Sequence, residues 1–320
     1  MTRLRIGTRG SSLALWQANH IADSLAKLHG VETELVRIRT SGDRLQSASV
    51  AQVNEAIGAE GGKGIFIKEI EDALLSGAVD LAVHSMKDVP TETPAGLTFA
   101  AITRREDPRD CLISRGGPSG LKLEKLQQGA RVGTSSLRRR AQLRHHRCDL
   151  DLIELRGNVD TRIRKLEDGA FDAIILALAG VTRLGLRAKV TQVFDEDLML
   201  PAVGQGALGI ETRADDAQTA RFVAALDDDE TRACVTAERA LLRELQGGCQ
   251  VPLGAWGRIR RGELHLEAAV FSPSGSEYVR LDEAGLPAEA DAVGVRLAQS
   301  MIEAEADRIL RLAGRSVGQG

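Results

Sequence analysis

The sequence predicts an α/β protein with two similar, doubly wound domains and a smaller α+β domain at the C-terminal end. Three observations predict it. The 320 residues exceed the usual size of one domain, so two or three domains are expected. Short apolar runs alternate with segments of helical periodicity, and this alternation starts again after residue 112. A rhythm of strand, helix and strand favours a mostly parallel sheet with helices on both faces.

The elements of the two α/β domains follow from that alternation. In the first domain they are a strand at 3–8, a helix at 12–28, a strand at 32–39, a helix at 65–77 and a buried strand at 79–84. In the second they are a strand at 130–136 that leads into a helix, a strand at 150–155, a helix at 158–169, a strand at 171–177 and a helix at 178–186. An apolar strand within 201–213 is expected to return to the first domain.

The last ninety or so residues change character, with a long helix at 231–246, strands near 253–260, 263–272 and 277–281, and a helix across 288–313. We therefore predict domain 1 at 1–104 and 205–225, domain 2 at 105–204 and domain 3 at 226–320. Two similar α/β domains with a chain that crosses between them are typical of periplasmic-binding-protein-like architecture, with a hinge. Ligands of such sheets bind at the carboxyl ends of the strands.

Composition and charge indicate the class of ligand. Apolar residues make up 43% and charged residues 27%, the balance of an ordinary globular protein. The net charge of −3 and an aromatic share of 3% oppose a nucleic-acid binder. Residues 103–203, however, hold 19 Lys and Arg against 14 Asp and Glu. Arginine grips carboxylates at two points, so this segment predicts a polyanionic small molecule, with solvated surface arginines as the alternative.

The compartment is predicted to be the cytoplasm. The N-terminal stretch has no apolar segment before a small-residue cleavage site, and no run approaches the length of a membrane span. The four cysteines show no CxxC pair and no zinc-ligand spacing. Cys249 follows two glycines in a loop, which makes it a candidate nucleophile, with a bystander thiol as the alternative. The other three are interpreted as packing residues.

Basic and hydroxyl side chains recur where strands end and helices begin. A helix N-terminus with a Ser or Thr cap favours an anion, and arginines in the first turn need one to offset the helix dipole. Four such places predict a ligand with several carboxylates, against the alternative of capped helices with basic surface faces. The residues at these places are Arg9, Ser11, Thr134, Ser135, Ser136, Arg138, Arg139, Arg156, Arg162 and Arg183.

Two further motifs carry candidate site residues. HSMKDVP (84–90) follows a buried strand and places Lys87 and Asp88 at its end, where a carboxylate suits acid, base or cation-stabilising work. The alternative is an aspartate that caps the turn before Pro90; a Ser-His-Asp triad is excluded because these residues are too local. GGKGIF (61–66) fails as a phosphate loop, but a flexible loop with Lys63 remains, preceded by a candidate lid at 47–60.

Nine ordered motifs give the chain a specific resemblance. They are TRGSSLALWQA, GGKGIFIKEIE, DLAVHSMKDVP, REDPRDCLIS, VGTSSLRRR, LRGNVDTRI, DAIILALAGVTRLG, LPAVGQGALGIE and GGCQVPLGA. Along nearly its whole length the chain resembles the porphobilinogen deaminases, also called hydroxymethylbilane synthases. Two departures are a segment at 43–63 that is longer than in many relatives, and Gly10-Ser11-Ser12 where Gln-Ser-Pro is frequent.

The resemblance implies an enzyme, a transferase of tetrapyrrole (heme- or chlorophyll-type) biosynthesis, that works as a cytoplasmic monomer with porphobilinogen as its substrate. It implies a dipyrromethane cofactor joined through a thioether to Cys249, catalysis by Asp88, and no metal, nucleic acid or membrane partner. The cofactor- and substrate-binding side chains that it implies are Arg9, Ser11, Lys63, Lys87, Thr134, Ser135, Ser136, Arg138, Arg139, Arg156, Arg162 and Arg183.

The implied reaction condenses four porphobilinogen molecules head to tail, with loss of ammonia, to give hydroxymethylbilane. Positive charge develops on pyrrole nitrogens, where a carboxylate stabilises it. Two other classes of protein are alternatives. A hinged solute-binding protein is usually exported, and the sequence shows no signal segment. A nucleic-acid binder rests on the basic run at 138–140 and would show salt-dependent DNA binding.

Overall fold

The computed structural model describes residues 3–40, 67–245 and 251–317. The chain divides into two compact units. The first comprises Met1–Arg105 and Ala207–Arg232, and the second comprises Glu106–Gly206 and Ala233–Gly320. The three-domain boundaries stay a prediction, because the second unit contains both the predicted domain 2 and nearly all of the predicted domain 3.

The secondary structure elements follow the predicted order closely. The strands are β1 (Arg3–Thr8), β2 (Glu32–Arg37), β3 (Leu81–Ser85), β4 (Leu97–Ile102), β5 (Asp110–Ser114), β6 (Arg131–Gly133), β7 (Asp151–Ile153), β8 (Ala173–Ala177), β9 (Gln192–Val193), β10 (Leu208–Arg213), β11 (Leu253–Arg260), β12 (Glu263–Phe271) and β13 (Tyr278–Gly285). The helices are α1 (Ser12–His29), α2 (Lys68–Leu75), α3 (Leu137–His146), α4 (Val159–Glu167), α5 (Leu178–Arg183), α6 (Ala217–Val223), α7 (Asp229–Glu244), α8 (Ala290–Glu303) and α9 (Ala306–Val317).

The sheet of the first unit has the strand order β2-β1-β3-β10-β4. The strands β2, β1 and β3 run parallel, whereas β10 is antiparallel to both β3 and β4. Apolar residues of α1, such as Ile21 and Leu25, pack on one face of the sheet. Ile70 and Leu74 of α2 belong to a second apolar cluster, with Val79. Helices therefore cover the sheet as the apolar periodicity predicts.

The first α/β sheet of the second unit repeats this plan with the order β7-β6-β8-β5-β9. Here β7, β6 and β8 are parallel, and β5 is antiparallel to β8 and β9. The doubly wound fold class is confirmed, and so is the expectation of mostly parallel sheets: four of the five strands in each sheet run in one direction, and only β10 or β5 is reversed. The strand next to the third parallel strand, β10 or β5, starts within a few residues of a point where the chain passes from one unit to the other. Because it enters from outside the strand–helix–strand rhythm, that rhythm does not predict its direction.

The strands β4, β5 and β9 were not predicted, because each stands outside the alternation of strands and helices. The return of residues 208–213 to the first sheet is confirmed by the pairing of β10 with β3.

The C-terminal part of the second unit holds an antiparallel sheet in the order β11-β12-β13. Buried side chains of α7, α8 and α9 pack with this sheet in one apolar cluster, which includes Leu241, Val293 and Leu297. The single helix predicted at 288–313 is wrong. It is two helices, because the backbone at Glu305 adopts φ 68°, a left-handed conformation that ends a helix and that no Gly or Pro signals here.

Candidate active site

Asp88 lies in a single 3-10 turn, Met86–Asp88, that directly follows the buried strand β3. Its carboxylate is exposed, and among the described residues it has no hydrogen bond or ion pair. Lys87 beside it is half-buried and does have contacts. The alternative in which Asp88 serves only to cap the turn lacks support, since a capping carboxylate would accept a backbone N–H.

Hydrogen bonds of the two neighbouring residues Ser85 and Met86 hold the turn in place. Met86 is buried, and its backbone N–H donates to the carbonyl of Ala207 at 3.1 Å. Ser85, the last residue of β3, accepts a hydrogen bond from the Gln17 side chain at 2.9 Å. A free carboxylate on a tightly held turn is preorganised for a ligand, because binding then costs little reorganisation.

His84 lies one strand position before Ser85 and is paired with Glu211 of β10, with 3.1 Å between His84 Nε2 and Glu211 Oε2. Both side chains are buried. Ser85 is bonded to Gln17 rather than to His84, in agreement with the exclusion of a local triad. Burial and the nearby Glu211 carboxylate together raise the pKa of Glu71 on α2. The carboxyl groups of Glu71 and Glu211 thus both lie near the His84 imidazole.

The turn between β1 and α1 carries Arg9 and Ser11. The Ser11 hydroxyl accepts the backbone N–H of Ala14 at 3.3 Å and so caps α1. Arg9 is half-buried and has contacts of its own. The cap predicted from the sequence is therefore present, while a ligand contact by Ser11 stays a prediction.

Arg138 and Arg139 occupy the first turn of α3, and both are buried against one carboxylate. Asp110, the fully buried first residue of β5, accepts Arg138 Nη1 at 2.7 Å through Oδ2 and Arg139 Nη2 at 2.6 Å through Oδ1. Gln205 Nε2 also donates to Asp110 Oδ1, at 3.0 Å. Burial alone would raise the pKa of Asp110, but the two guanidiniums outweigh it and hold its pKa well below the usual range. Asp110 is therefore ionised.

This cluster holds two guanidiniums and one carboxylate, an excess of one positive charge in a buried place. Arg139 uses Nε, Nη1 and Nη2 in hydrogen bonds to Asp110 and the Ile175 carbonyl. The hydrogen bonds of Arg138 to described residues involve Nη1 alone, so its Nε and Nη2 edge is available. Burial lowers the pKa of Arg138, since desolvation disfavours its charged form, and an anion beside it would oppose that effect. The arrangement fits a carboxylate-bearing ligand.

The hydroxyls before α3 are engaged locally. Ser136 caps the helix by accepting the Arg139 N–H at 3.4 Å. Ser135 Oγ donates to the Leu155 carbonyl at 2.9 Å and accepts the Leu155 N–H at 3.0 Å, which ties this turn to the strand end at β7. Thr134 is buried and accepts the Ser136 N–H at 3.3 Å. They shape the turn, and their contacts with a ligand stay predictions.

Three more arginines lie at strand and helix ends of the second unit. Arg156 pairs with Glu154 at 2.7 Å, and Arg162 Nε donates to the Gly157 carbonyl at 2.7 Å. Arg183 Nη2 donates to the Gly206 carbonyl at 2.7 Å, and burial lowers the pKa of its guanidinium to about 10. Each thus has a protein partner in this structure, and their roles toward a ligand stay predictions.

Lys63, Cys249 and the candidate lid at 47–60 lie outside the described residues. Among the other cysteines, Cys111 and Cys234 are buried as predicted, and burial raises the pKa of the Cys111 thiol to about 12, which disqualifies it as a nucleophile. Cys148 is exposed, so its interpretation as a packing residue is wrong. It follows the end of α3, where a basic sequence context does not imply burial.

The sequence interpretation missed Asp110, Gln205 and Glu211. Asp110 stands in the quoted motif REDPRDCLIS and Gln205 in LPAVGQGALGIE, but nothing local distinguishes them from surface polar residues. A usable signal was the charge balance: two adjacent arginines at the start of a helix need an acid from elsewhere in the chain. Their partner was out of reach because it lies 28 residues away, on an unpredicted strand.

Over the described residues, no helix is both long and apolar enough to cross a membrane. Within the same residues, no group of three or more His, Cys, Asp and Glu is placed to hold a metal ion.

Comparison with solved structures gives distant similarities. An ancestral cationic amino acid solute binding protein is 17% identical, with a TM-score of 0.44 over 70% of this chain and 87% of that one. A periplasmic substrate-binding protein of an ABC transporter from Coxiella burnetii is 13% identical, with a TM-score of 0.41 over 70% of this chain and 91% of that one.

Comparison of sequences gives much stronger similarities. A family model described as porphobilinogen deaminase, dipyromethane cofactor binding domain, matches residues 4–221, and one described as the C-terminal domain of porphobilinogen deaminase matches residues 232–303. The porphobilinogen deaminase of Pelobacter propionicus is 49% identical over 98% of this chain and 96% of its own length. That of Trichlorobacter lovleyi is 50% identical over 98% of this chain and 95% of its own. The chain belongs to the porphobilinogen deaminase family.

Proposed function

We propose that this chain carries out the porphobilinogen deaminase reaction with Asp88 as its catalytic carboxylate and Cys249 as the attachment point of dipyrromethane. The activity and the cofactor follow from the family. The observation that supports the role of Asp88 is its exposed carboxylate, free of any described partner, on a turn held by a buried strand. An unpaired acid on a rigid support is suited to stabilise a cation.

Each round of the reaction breaks the bond between the aminomethyl carbon of porphobilinogen and its nitrogen, which leaves as ammonia. A bond then forms from that carbon to a pyrrole α-carbon, and the α-carbon loses its proton. Positive charge appears on pyrrole nitrogen as ammonia leaves and again before the proton is lost. Asp88 accepts hydrogen bonds from those N–H groups and stabilises that charge, by about 3 kcal/mol if it equals one oxyanion-hole donor.

The residues of the second unit fit a dipyrromethane group with several carboxylates. Arg138 offers its Nε and Nη2 edge from a buried cluster with one excess positive charge, and Arg156, Arg162 and Arg183 add basic groups at strand and helix ends. When bound, dipyrromethane supplies the free pyrrole α-carbon that the reaction requires. The arginines would bind its carboxylates and those of the substrate, and so fix the orientation of the rings.

We further propose the remaining contacts that the resemblance implies. Arg9, Ser11, Lys63, Lys87, Thr134, Ser135, Ser136 and Arg139 belong to the binding site, and Cys249 forms the thioether. The enzyme is proposed to work as a cytoplasmic monomer. Light scattering during size-exclusion chromatography checks the oligomeric state, since 34.3 kDa is the mass of one chain and a dimer would double it.

Intact-mass spectrometry of the purified protein tests covalent attachment. We expect the sequence mass plus two linked pyrroles, and the bare sequence mass for Cys249→Ser. Cys148→Ser is the matched control, because it removes an exposed thiol and should keep the added mass. A fully active protein with only its sequence mass would contradict the proposal. Retention of the added mass in Cys249→Ser would contradict the assignment of the attachment residue.

A further inference from the structure

The strand β10 is built directly against the turn that carries Asp88. The chain enters the first unit at Ala207, and β10 begins at the next residue. It pairs with β3 in antiparallel register, with Leu208 opposite Ser85 and Gly209 opposite His84. The Ala207 carbonyl, just before β10, accepts the Met86 N–H at 3.1 Å. The backbone of this strand therefore reaches the Met86–Asp88 turn itself.

The side chain of Met86 occupies the space that a side chain at position 209 would need. A Cβ on Gly209 would overlap Met86 Sδ and would lie 2.7 Å from Phe99 Cδ1, closer than real Cβ contacts come. Met86 is 1% exposed, so its side chain has no open space into which to retreat. The overlapping atom is Sδ rather than the terminal methyl carbon, so relief of the clash requires rotation about the inner side-chain bonds of Met86. Any side chain at position 209 would push Met86 away from the strand.

The residues around Gly209 are also closely packed. Phe99 packs edge-on against the His84 ring with 6.2 Å between ring centroids, and Glu211 pairs with His84 at 3.1 Å. Packed interiors transmit strain rather than absorb it, because few voids are available. A displaced Met86 therefore passes its shift along the backbone to Asp88, two residues later in the same turn.

We propose that Gly209 is a positioning residue for catalysis, which acts through Met86 to fix the Asp88 carboxylate. This inference rests on the proposed role of Asp88. Gly209 touches neither substrate nor cofactor in this account; its contribution is the absence of a side chain where Met86 must lie. A displacement of about 1 Å in a catalytic group costs on the order of 100-fold in rate, so a small shift of the turn has a measurable effect.

The test compares Gly209→Ala, Met86→Ala and the double variant. Each holoenzyme is assayed for kcat and KM with porphobilinogen, for the fraction that carries the two-pyrrole mass, and for its thermal midpoint. In Gly209→Ala we expect kcat per loaded enzyme to fall roughly 30- to 100-fold with KM within about threefold. In the Met86→Ala background the same glycine substitution should cost less than about threefold, because the overlapping Sδ is gone.

Gly285→Ala is the matched control. A Cβ there would lie 2.7 Å from Val293 Cγ2, also closer than real Cβ contacts come, but in β13 of the C-terminal sheet. It should lower the thermal midpoint and leave kcat per loaded enzyme unchanged. A general packing defect would act the same way at both glycines, whereas a positioning role lowers kcat at Gly209 only.

Should Gly209→Ala fail to accumulate as folded protein, Met86→Leu makes the same comparison from the other partner. It keeps side-chain volume, so stability changes little, but it places a branched carbon against Gly209. We expect kcat about fivefold lower with complete loading. The inference is overturned if Gly209→Ala keeps kcat within twofold, or if its cost is equal with and without the Met86 side chain. If Asp88→Ala is itself fully active, the proposed role of Asp88 fails instead, so the two failures are distinguishable.

Discussion

The first sheets of the two units have the same plan and present opposite charges. In each, three parallel strands are followed by an antiparallel strand that starts near a crossing of the chain, β10 in one and β5 in the other. The first unit holds an exposed carboxylate, Asp88, after its third parallel strand. The second holds the buried guanidiniums of Arg138 and Arg139 in the helix that follows its first parallel strand. One topology thus supports both an anionic and a cationic group.

The antiparallel strands β5 and β10 support the charged groups of their units in different ways. Asp110, the first residue of β5, supplies the counter-charge that allows two arginines to be buried. The strand β10 supplies no charge to Asp88; it supplies a glycine that makes room for Met86. A buried cation needs a partner because desolvation is costly, whereas an exposed carboxylate needs only a rigid support. The comparison predicts that substitutions in the second unit lower stability and substitutions at Asp88 lower activity alone.

The largest effect is expected for Asp110→Asn. Two buried guanidiniums would lose their only described counter-charge, which costs about 3–5 kcal/mol for a buried pair. Thermal unfolding should show a large drop in midpoint for the transition of the second unit. Asp291→Asn, which removes an exposed carboxylate bonded to Arg243, should leave the midpoint nearly unchanged. An equal, small effect of both variants would mean that Asp110 does not hold the arginine pair.

Asp88→Ala is expected to act on rate rather than stability. Removal of one preorganised electrostatic group typically costs 10²–10³-fold in kcat, roughly 3–4 kcal/mol. The thermal midpoint should stay within a degree or two of the parent, because the carboxylate is exposed and no described residue bonds to it. Steady-state assays with porphobilinogen give the rate, and Asp215→Asn, an exposed acid of the same unit, is the control. Near-normal turnover would remove Asp88 from the mechanism.

The smallest effect is expected for lysine substitutions of Arg138 and Arg139, which should differ from each other. Arg138 keeps an edge free of described partners, whereas Arg139 uses all three of its nitrogens. Arg138→Lys should therefore slow dipyrromethane loading about tenfold, the order of one charge-assisted hydrogen bond. Arg139→Lys should slow loading less than Arg138→Lys does, and should unfold at a lower temperature because the bonds of Arg139 to Asp110 and Ile175 are lost. Time-resolved intact mass and thermal unfolding measure both, and identical loading in the two variants would contradict this distinction.

The sequence alone determined most elements of the fold and the places where basic groups collect. Apolar periodicity located α1 and β3 to within two residues, and hydroxyl residues marked the N-caps Ser11 and Ser136. These features are local, since periodicity and capping depend on residues a few positions apart. The ordered motifs also identified the family, and Asp88 was singled out at the end of its strand.

Only the tertiary structure decided which charged groups are available. Arg138 and Arg139 look alike in the sequence, yet one keeps a free edge and the other is saturated, because Asp110 comes from a strand 28 residues earlier. The direction of β10 and the need for glycine at position 209 were likewise beyond prediction, because they depend on contact with β3 and Met86 more than 120 residues away. Contacts between residues far apart in the chain produce no periodic pattern in the sequence, so they cannot be predicted from local sequence patterns.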